Sequence, residues 1–314
     1  MSQNIDRNLV AIEPKHFGPY VEAVEAAGAR VVPMSPEVGA VIWTDYAQPQ
    51  ALAELLAANP QLEWVQLPFA GVDAFVNVLK HEALHANGGR FTSAKGSYRE
   101  PVAEHALMLC MALGRILPER VRATNWGKKF AVSLYDANVV VVGGGGITEE
   151  LLKLLAPFRA RVTVVRKHVA PMAGAQSVVE FEALDSVLPA ADFVVLAAAL
   201  TPETTGLFNA HRLGLMRADA YLVNIARGPM IVTGDLVEAL NAGTIAGAAV
   251  DVTDPEPLPD GHALWSAKNI IITPHTADTN QMVLRMFAVR ILENVAAYRG
   301  AGDWVGIVDP NLGY

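Results

Sequence analysis

Short apolar runs alternate with segments of helical periodicity along the first hundred residues. The runs are rich in Val and Ile and are bounded by Gly, Pro or Asn, which is typical of buried strands. Between them, apolar side chains recur every three or four residues and predict amphipathic helices. This alternation predicts a parallel sheet with helical connections. The predicted strands are 9–12, 31–32, 38–43 and 62–67, and the predicted helices are 20–27, 49–58 and about 72–79.

A second series of the same kind begins at Val139, after a long apolar helix predicted over 101–116. An amphipathic helix predicted over 281–298 should pack back against the first part of the chain. We therefore predict an α/β fold of two Rossmann-like or flavodoxin-like doubly wound parallel-sheet domains with a cleft between them. The predicted first domain comprises residues 1–100 plus 282–314, and the predicted second domain comprises residues 101–281. The predicted strands of the second series are 139–142, 161–165, 192–196, 221–226, 247–252 and 269–275.

Four consecutive glycines follow the strand that begins at Val139, and a helix is predicted directly after them. Strand, glycine turn and helix form the opening of a dinucleotide-binding unit, in which the turn lets a pyrophosphate approach the backbone. Thr148 occupies the position of the third glycine of G-x-G-x-x-G, which weakens the match because a side chain there lies where helix and strand pack closely. Glu149 and Glu150 would lie near the phosphates and repel them. The alternative interpretation is an ordinary strand-to-helix turn. The predicted contacts are Gly143, Gly144, Gly145, Gly146 and Ile147.

A basic turn follows the next predicted strand, at the position where NAD enzymes carry an acid for the ribose 2′-hydroxyl. Arg166 lies 23 residues after Gly143 and is followed by Lys167 and His168. An acid would repel a 2′-phosphate, whereas an arginine binds one with two hydrogen bonds. The pattern therefore favours NADP(H) over NAD(H). The alternative is a solvated basic turn.

Three successive predicted strands lead at their carboxyl ends into Arg227, Glu256 and His275. These side chains should therefore lie at one edge of a parallel sheet. Reduction of a 2-keto acid needs a cation for the carboxylate and carbonyl oxygens, and a proton donor for the carbonyl oxygen. Arg227 has the required permanent charge, and a histidine titrates in the right range for a general acid. Glu256 would orient the imidazole and favour its charged form. Each residue alone also fits a plain surface or strand-end role.

Composition narrows the class of protein further. Hydrophobic residues make up 52% of the 314 residues, which excludes a disordered chain, and the net charge of −8 argues against a nucleic-acid surface. The N-terminus lacks the apolar core of a signal peptide, and the single Cys110 is expected to be buried in a reducing cytoplasm. No cluster of metal-ligand type is apparent. Glu104 and His105 are candidates for a functional role, but a helix-end ion pair or partner contact is the favoured interpretation. Residues 120–136 are interpreted as a mobile or partner-facing excursion.

The chain resembles the D-isomer-specific 2-hydroxyacid dehydrogenase family, through motifs that occur in the family's order. The resemblance implies that Arg227, Glu256 and His275 are catalytic, and that Phe69, Ala70 and Gly71, with Arg227, bind the substrate. It also implies that 1–100 plus 282–314 form the substrate domain and that 101–281 form the NAD(P)-binding Rossmann domain. Members of the family are commonly homodimers joined through this cofactor domain. The matching segments are 65–73, 102–105, the glycine turn, 200–204, 224–229, 251–259 and 273–277, with 262–265 resembling glyoxylate/hydroxypyruvate reductase-like members. The further implied cofactor contacts are Ala198, Ala199, Thr204, Ile225, Ala226, Asp251, His275 and Ala277.

Several positions depart from the family pattern and indicate a divergent member. We predict an NAD(P)-dependent reductase of small 2-keto acids, with glyoxylate or hydroxypyruvate as the first candidate substrate and D-3-phosphoglycerate as the second. The alternative is a dinucleotide-sensing, corepressor-like binding protein on the same fold. The departures are Thr148, Arg166, Ala197, Ala199 and Val232.

Overall fold

The computed structural model describes residues 5–81, 84 and 88–310. Residues 1–4, which enter the expectation about a signal peptide, lie outside this part. The chain divides into two compact units, Met1–Tyr98 with Thr279–Tyr314, and Arg99–Asp278. The sequence prediction places these boundaries after residues 100 and 281. The observed boundaries, after Tyr98 and after Asp278, lie slightly earlier and close to the starts of helices at Arg99 and Asn280.

The first unit contains a five-stranded sheet in the order β2-β1-β3-β4-β5, and every neighbouring pair is parallel. The second unit contains a seven-stranded sheet in the order β12-β11-β10-β9-β6-β7-β8, again all parallel. The elements in chain order are β1 Leu9–Glu13, α1 Gly18–Ala26, β2 Arg30–Val31, β3 Ala40–Trp43, α2 Pro49–Ala58, β4 Trp64–Gln66, β5 Arg90–Thr92, α3 Arg99–Gly114, α4 Leu117–Arg120, β6 Asn138–Val142, α5 Gly146–Leu155, β7 Arg161–Val165, β8 Ser177–Val179, α6 Leu184–Val187, β9 Phe193–Leu196, α7 Ala210–Leu215, β10 Tyr221–Asn224, α8 Thr233–Ala242, β11 Gly247–Val250, β12 Ile270–Ile272 and α9 Asn280–Tyr298.

The core of the first unit forms because its strands are apolar on both faces. Strand β3 is buried along its whole length, as expected for a central strand of a parallel sheet covered by helices. Helices α1 and α9 pack together, and the ring of Phe287 on α9 meets the edge of Tyr20 on α1 at 5.2 Å. The predicted return of the last helix to the first part of the chain is therefore confirmed.

The second unit is organised around strand β6, where the strand order of the sheet reverses. Strand β6 pairs with β7 on one side and with β9 on the other, so the sheet is built outward in both directions from β6. Ligands of such sheets bind beyond the carboxyl ends of the strands at this switch point. The glycine turn follows β6, so the fold places it at the expected ligand-binding edge.

The fold class is confirmed, but some elements differ from the sequence prediction. The short edge strands β5 and β8 were missed because each has only three residues and an irregular pattern. The helix expected over 72–79 is wrong: a 3₁₀ turn at Asp73–Phe75 is followed by irregular turns. Residues 121–131 have no helix or strand, and every residue among them is exposed. None of the described helices is both long and apolar enough to cross a bilayer.

Candidate active site

The glycine turn has the geometry of an anion-binding loop. Gly143 adopts a φ of 115°, and a Cβ atom there would collide with the carbonyl oxygen of Ala197. Only glycine fits this position without rearrangement. Gly145 caps the N-terminus of α5, and among the described residues no atom beyond its own chain neighbours lies within 4 Å of the position its Cβ would occupy. The open first turn of α5 therefore leaves room for a phosphate beside backbone N–H groups.

Thr148 fits into the turn although it replaces the third glycine of the motif. Its side chain is buried, and its hydroxyl donates a hydrogen bond of 2.9 Å to the carbonyl oxygen of Gly143. The hydroxyl thus ties the first turn of α5 back to the glycine turn. The steric doubt raised by the sequence is answered, because helix and strand accommodate the threonine.

One of the two acidic residues in the first turns of α5 is paired with neighbouring cations. Glu150 lies 3.1 Å from Arg99 and 2.8 Å from Lys153. These pairs reduce the repulsion that its carboxylate would exert on a phosphate. Glu149 is exposed at the same helix end.

Arg166 lies across the glycine turn. A Cβ atom built on Gly144 would come within 2.6 Å of Arg166 Cδ and 2.8 Å of its Nε. The backbone N–H of Arg166 donates to the carbonyl of Val179, which fixes the start of this segment after β7. Arg166 is half-buried and Lys167 is exposed. The guanidinium is therefore held beside the turn rather than extended into solvent away from it.

The segment after β9 is shaped by a buried threonine. Thr204 donates from its hydroxyl to the carbonyl oxygen of Ala199 at 2.8 Å and accepts from the backbone N–H of Thr201 at 2.7 Å. Its hydroxyl group is engaged in these two hydrogen bonds within the loop, so it stabilises the loop conformation. Ala198 and Ala199 retain partial exposure on the same loop.

Arg227 is positioned by the residue that ends strand β10. The side-chain amide of Asn224 donates to the carbonyl oxygen of Arg227 at 2.9 Å and accepts from the N–H of Ala226 at 3.0 Å. Asn224 is completely buried, and Ile225 and Ala226 are nearly so. The backbone of Gly228 lies directly against the carbonyl of Thr253, where no side chain would fit. The loops that carry Arg227 and Glu256 are therefore packed together.

Glu256 and His275 form a direct pair. Oε1 of Glu256 lies 2.7 Å from Nδ1 of His275, and its Oε2 accepts from the backbone N–H of Thr253 at 3.2 Å. The carboxylate is thus oriented by its own loop before it meets the imidazole. The expected hydrogen bond between these two residues is present. Both side chains remain nearly half exposed, so solvent or a ligand can reach them.

Asp251 anchors the loop that carries His275. Its buried carboxylate accepts from the hydroxyl of Thr273 at 2.6 Å and from the N–H groups of Thr276 and Ala277 at 2.9 and 3.1 Å. Burial alone would raise the pKa of Asp251. Hydrogen bonds from His105, Thr273 and the two loop amides outweigh it and lower the pKa to about 2. Asp251 was predicted as a cofactor contact, and its hydrogen bonds here go to the protein.

Asp278 connects the members of the group electrostatically. Burial raises the pKa of its carboxyl group, the charges on His275 and Arg227 lower it, and Asp251 raises it further. Asp278 therefore lies within electrostatic range of all three residues. Arg227, Asp251 and His275 follow the neighbouring parallel strands β10, β11 and β12, so they lie at one edge of the second unit's sheet.

The predicted substrate loop belongs to the first unit. The ring of Phe69 meets Tyr46 edge-on at 5.2 Å, and its carbonyl oxygen accepts from the N–H of Ala94 at 3.0 Å. The hydroxyl of Tyr98 donates to the carbonyl of Pro68 at 2.8 Å. The loop is therefore fixed on one side by aromatic packing, while Ala70 is exposed.

Comparison with known proteins identifies the family. Residues 105–277, more than half of the chain, match the model of the D-isomer specific 2-hydroxyacid dehydrogenase, NAD binding domain. The chain belongs to this family. It is thus an oxidoreductase of the D-2-hydroxyacid dehydrogenase type, acting on CH–OH groups with a nicotinamide cofactor and small 2-hydroxy or 2-keto acids. The family recognised in the sequence is confirmed.

Individual members of the family show how far the similarity extends. An "Uncharacterized protein in proB 3′ region" of Corynebacterium melassecola is 38% identical over 261 residues, which cover 81% of this chain and 84% of that protein. The glyoxylate reductase of Thermococcus kodakarensis is 30% identical over 272 residues, covering 83% and 79%. The D-isomer specific 2-hydroxyacid dehydrogenase of Xanthobacter autotrophicus Py2, solved with NADPH and MES, has a TM-score of 0.82 at 29% identity and covers 98% and 99% of the two chains.

Two residues that shape the site were missed in the sequence. Asn224 closes the apolar strand β10 and holds the loop of Arg227, and Thr273 follows β12 and bonds Asp251. A polar residue at the end of an otherwise apolar strand is the signal that would have found both, because such a residue must find internal partners when buried.

Proposed function

We propose that the protein reduces glyoxylate or hydroxypyruvate with NADPH, and that Arg227, Glu256 and His275 carry the reaction. The observation that supports this assignment most directly is the 2.7 Å contact between Nδ1 of His275 and Oε1 of Glu256. A carboxylate in this position fixes the ring and stabilises its charged form, as a proton donor needs.

The residues around the glycine turn fit a dinucleotide. Gly143 leaves no space for a side chain, and Gly145 opens the N-terminus of α5 toward a phosphate. When bound, the nicotinamide supplies or accepts the hydride at C2 of the substrate. We propose that the cofactor is held by Gly143 to Ile147, Arg166, Lys167, Ala198, Ala199, Thr204, Ile225, Ala226, Asp251, His275 and Ala277, with Thr204 and Asp251 acting through the loops they shape.

Each catalytic side chain has a separate task in the proposed mechanism. Arg227 binds the substrate carboxylate and carbonyl oxygen, since a guanidinium offers paired donors in a fixed plane. His275 donates a proton to the carbonyl oxygen as that oxygen becomes a hydroxyl. Because Nδ1 is engaged by Glu256, we assign the transferred proton to Nε2. Glu256 holds the ring and stabilises the imidazolium before transfer. The proton returns to His275 from solvent.

The substrate assignment rests on relatives and on the small side chains of the predicted carboxylate loop. Ala70 and Gly71 allow backbone N–H groups to approach a carboxylate closely. The Thermococcus kodakarensis relative is named glyoxylate reductase, and a human relative, 29% identical over 250 residues, is named glyoxylate reductase/hydroxypyruvate reductase. We therefore propose a small 2-keto acid, with D-3-phosphoglycerate as the second candidate.

The preference for NADPH over NADH rests on Arg166. Its side chain crosses the glycine turn at Gly144, which places a bidentate cation where an NAD enzyme carries an acid. The Xanthobacter autotrophicus protein was solved with NADPH, which agrees with this proposal.

We further propose that the protein forms a homodimer through its second unit. The exposed segment 121–131 carries Val121, Trp126 and Phe130, with 75%, 87% and 58% of their surface accessible. Large apolar side chains exposed together indicate an interaction surface. A location in a reducing cytoplasm is also proposed, because the sequence has a single cysteine, Cys110, which is free and buried.

The test is oxidation of NADPH and NADH by the purified protein with glyoxylate, hydroxypyruvate, pyruvate and phosphohydroxypyruvate. We expect glyoxylate or hydroxypyruvate to be reduced, and His275→Ala and Arg227→Lys to lose at least about 10²-fold in turnover. Near-normal turnover in either variant, with the fold intact, would contradict the mechanism. Tight NADPH binding without oxidation by any keto acid would instead favour the dinucleotide-sensing alternative.

A further inference from the structure

We propose that His105 is a positioning residue that holds His275 in its working conformation, acting through Asp251 and Thr273. The inference rests on the proposed function of His275 as proton donor. The resemblance to the family assigned His105 no role, and from the sequence it is interpreted as a helix-end contact. In the structure His105 forms an ion pair with Asp251, whose carboxylate holds the loop that carries His275.

The conformation of His275 is one that ordinary side chains avoid. Its backbone φ is 52°, in the left-handed region. Glycine adopts this region freely, whereas a residue with a side chain adopts it only at an energetic cost. A residue keeps such a conformation only when the surrounding structure enforces it. The N–H of His275 donates to the carbonyl oxygen of Asp251 at 2.8 Å, and Asp251 is nearly completely buried.

The carboxylate of Asp251 fixes the residues on both sides of His275. Oδ1 accepts from the hydroxyl of Thr273 and from the N–H of Thr276, while Oδ2 accepts from the N–H of Ala277. These three hydrogen bonds all run from the loop to the one buried side chain of Asp251. The position of His275 therefore depends on the position of this carboxylate.

His105 completes the cluster from a different element. Its Nε2 lies 3.1 Å from the hydroxyl oxygen of Thr273 and 3.3 Å from Oδ1 of Asp251. Because the hydroxyl proton of Thr273 is donated to Asp251, the oxygen can only accept from His105, which requires a proton on Nε2. His105 thus donates toward both partners of the loop anchor.

The helix that carries His105 gives this contact a rigid base. Helix α3 packs against strands β10 and β11 and against α5 within the second unit. The side chain of His105 is only 13% exposed, so solvent does not readily replace its hydrogen bond. Without this donor, the Thr273 hydroxyl and the Asp251 carboxylate lose one fixed partner. The loop then samples positions in which His275 is misplaced relative to the substrate.

The experiment compares His105→Leu, which removes the donor, with His105→Gln, whose terminal amide places an N–H donor close to the position of Nε2. The rate of hydride transfer is measured in a single turnover with NADPH and glyoxylate, so that product release does not mask the effect. A misplacement of this kind is expected to slow His105→Leu by about 10- to 100-fold, with KM for the keto acid nearly unchanged. His105→Gln should stay within about threefold of the wild type.

The decisive control is the same substitution in a His275→Ala background. If His105 acts through His275, His105→Leu should cost less than about twofold there, because the two residues form one unit. An equal loss in both backgrounds, or wild-type turnover in His105→Leu, would overturn the proposal.

A second measurement separates this proposal from the proposed function. Amide hydrogen exchange of Thr273 and of residues 275–278 should accelerate in His105→Leu and not in His105→Gln, whether or not any tested keto acid is reduced. Unchanged exchange in His105→Leu overturns the positioning role. A wild-type protein that reduces none of the keto acids overturns the proposed function alone.

Discussion

Nδ1 of His275 lies 2.7 Å from Oε1 of Glu256, and the other oxygen of that carboxylate is held by the backbone N–H of Thr253. The pair joins two loops that are 19 residues apart in the chain. Its geometry is that of an oriented imidazole with a charged partner, which is the arrangement a general acid requires.

Replacing Glu256 by glutamine tests the charge of this partner. The amide oxygen can still accept from Nδ1, but the negative charge that stabilises the imidazolium is lost. We expect kcat to fall by about 10- to 100-fold and the optimum for reduction to move to lower pH. The measurement is the pH profile of kcat for glyoxylate reduction. Asp254→Asn removes one charge from the same turn and serves as the control, and an equal effect in both variants would argue for a general field effect.

Arg166 should determine which cofactor the protein prefers. In Arg166→Gln, the bidentate partner for a 2′-phosphate is removed, while contacts to the rest of the dinucleotide remain. We expect KM for NADPH to rise by about 10- to 100-fold and KM for NADH to change by less than about threefold. Arg161→Gln, at the start of the same strand, is the matched control because it removes the same charge from the opposite strand end. Parallel changes in both cofactors would contradict a role in recognising the phosphate.

Thr148 should stabilise the glycine turn through its hydrogen bond to Gly143. Thr148→Val keeps the shape of the side chain but leaves the carbonyl oxygen of Gly143 without its hydroxyl donor. The free energy of unfolding should fall by about 1–3 kcal/mol. Thr148→Ser, which keeps the hydroxyl, should lose less. Urea denaturation measures both, and a valine variant as stable as the wild type would show that the hydrogen bond contributes little.

The pKa of Asp251 predicts an acid-sensitive contribution to stability. Its folded-state value of about 2 lies below the ordinary value of 3.8, so the unfolded chain binds the proton more readily. The contribution is therefore present above about pH 4 and is lost as pH falls toward 2, and a shift of this size corresponds to about 2 kcal/mol. The difference in unfolding free energy between wild type and Asp251→Asn should shrink between pH 5 and pH 2. A constant difference would show that the loop partners do not lower the pKa of this carboxyl group.

The sequence predicted the architecture well because it is encoded in local patterns. Apolar strands, glycine punctuation and helical periodicity are properties of neighbouring residues, and they placed Arg227, Glu256 and His275 after three strands of one parallel sheet. The catalytic role of these residues stays a prediction. The three-residue strands β5 and β8 were missed because so short a run carries no recognisable periodicity.

The supporting contacts could not be predicted, because they depend on which side chains meet across loops. The hydrogen bond between His105 and Thr273 joins residues 168 positions apart, and neither residue carries a local signal of the other. The Thr148 hydroxyl illustrates the same limit. The sequence motif predicts that a side chain at this glycine position weakens the turn. In the folded protein the Thr148 hydroxyl instead donates a hydrogen bond to the carbonyl oxygen of Gly143.

The exposed segment 121–131 should control assembly. Trp126 and Phe130 are largely accessible, so replacing them costs the isolated chain little but removes the apolar area that a second copy would cover. We expect the wild type to sediment as a dimer at micromolar concentration and Trp126→Ser with Phe130→Ser to sediment as a monomer of unchanged thermal stability. Val169→Ser, which alters an apolar side chain of similar exposure on another loop, should remain dimeric. A monomeric wild type, or a double variant that stays dimeric, would assign the apolar segment to some other role.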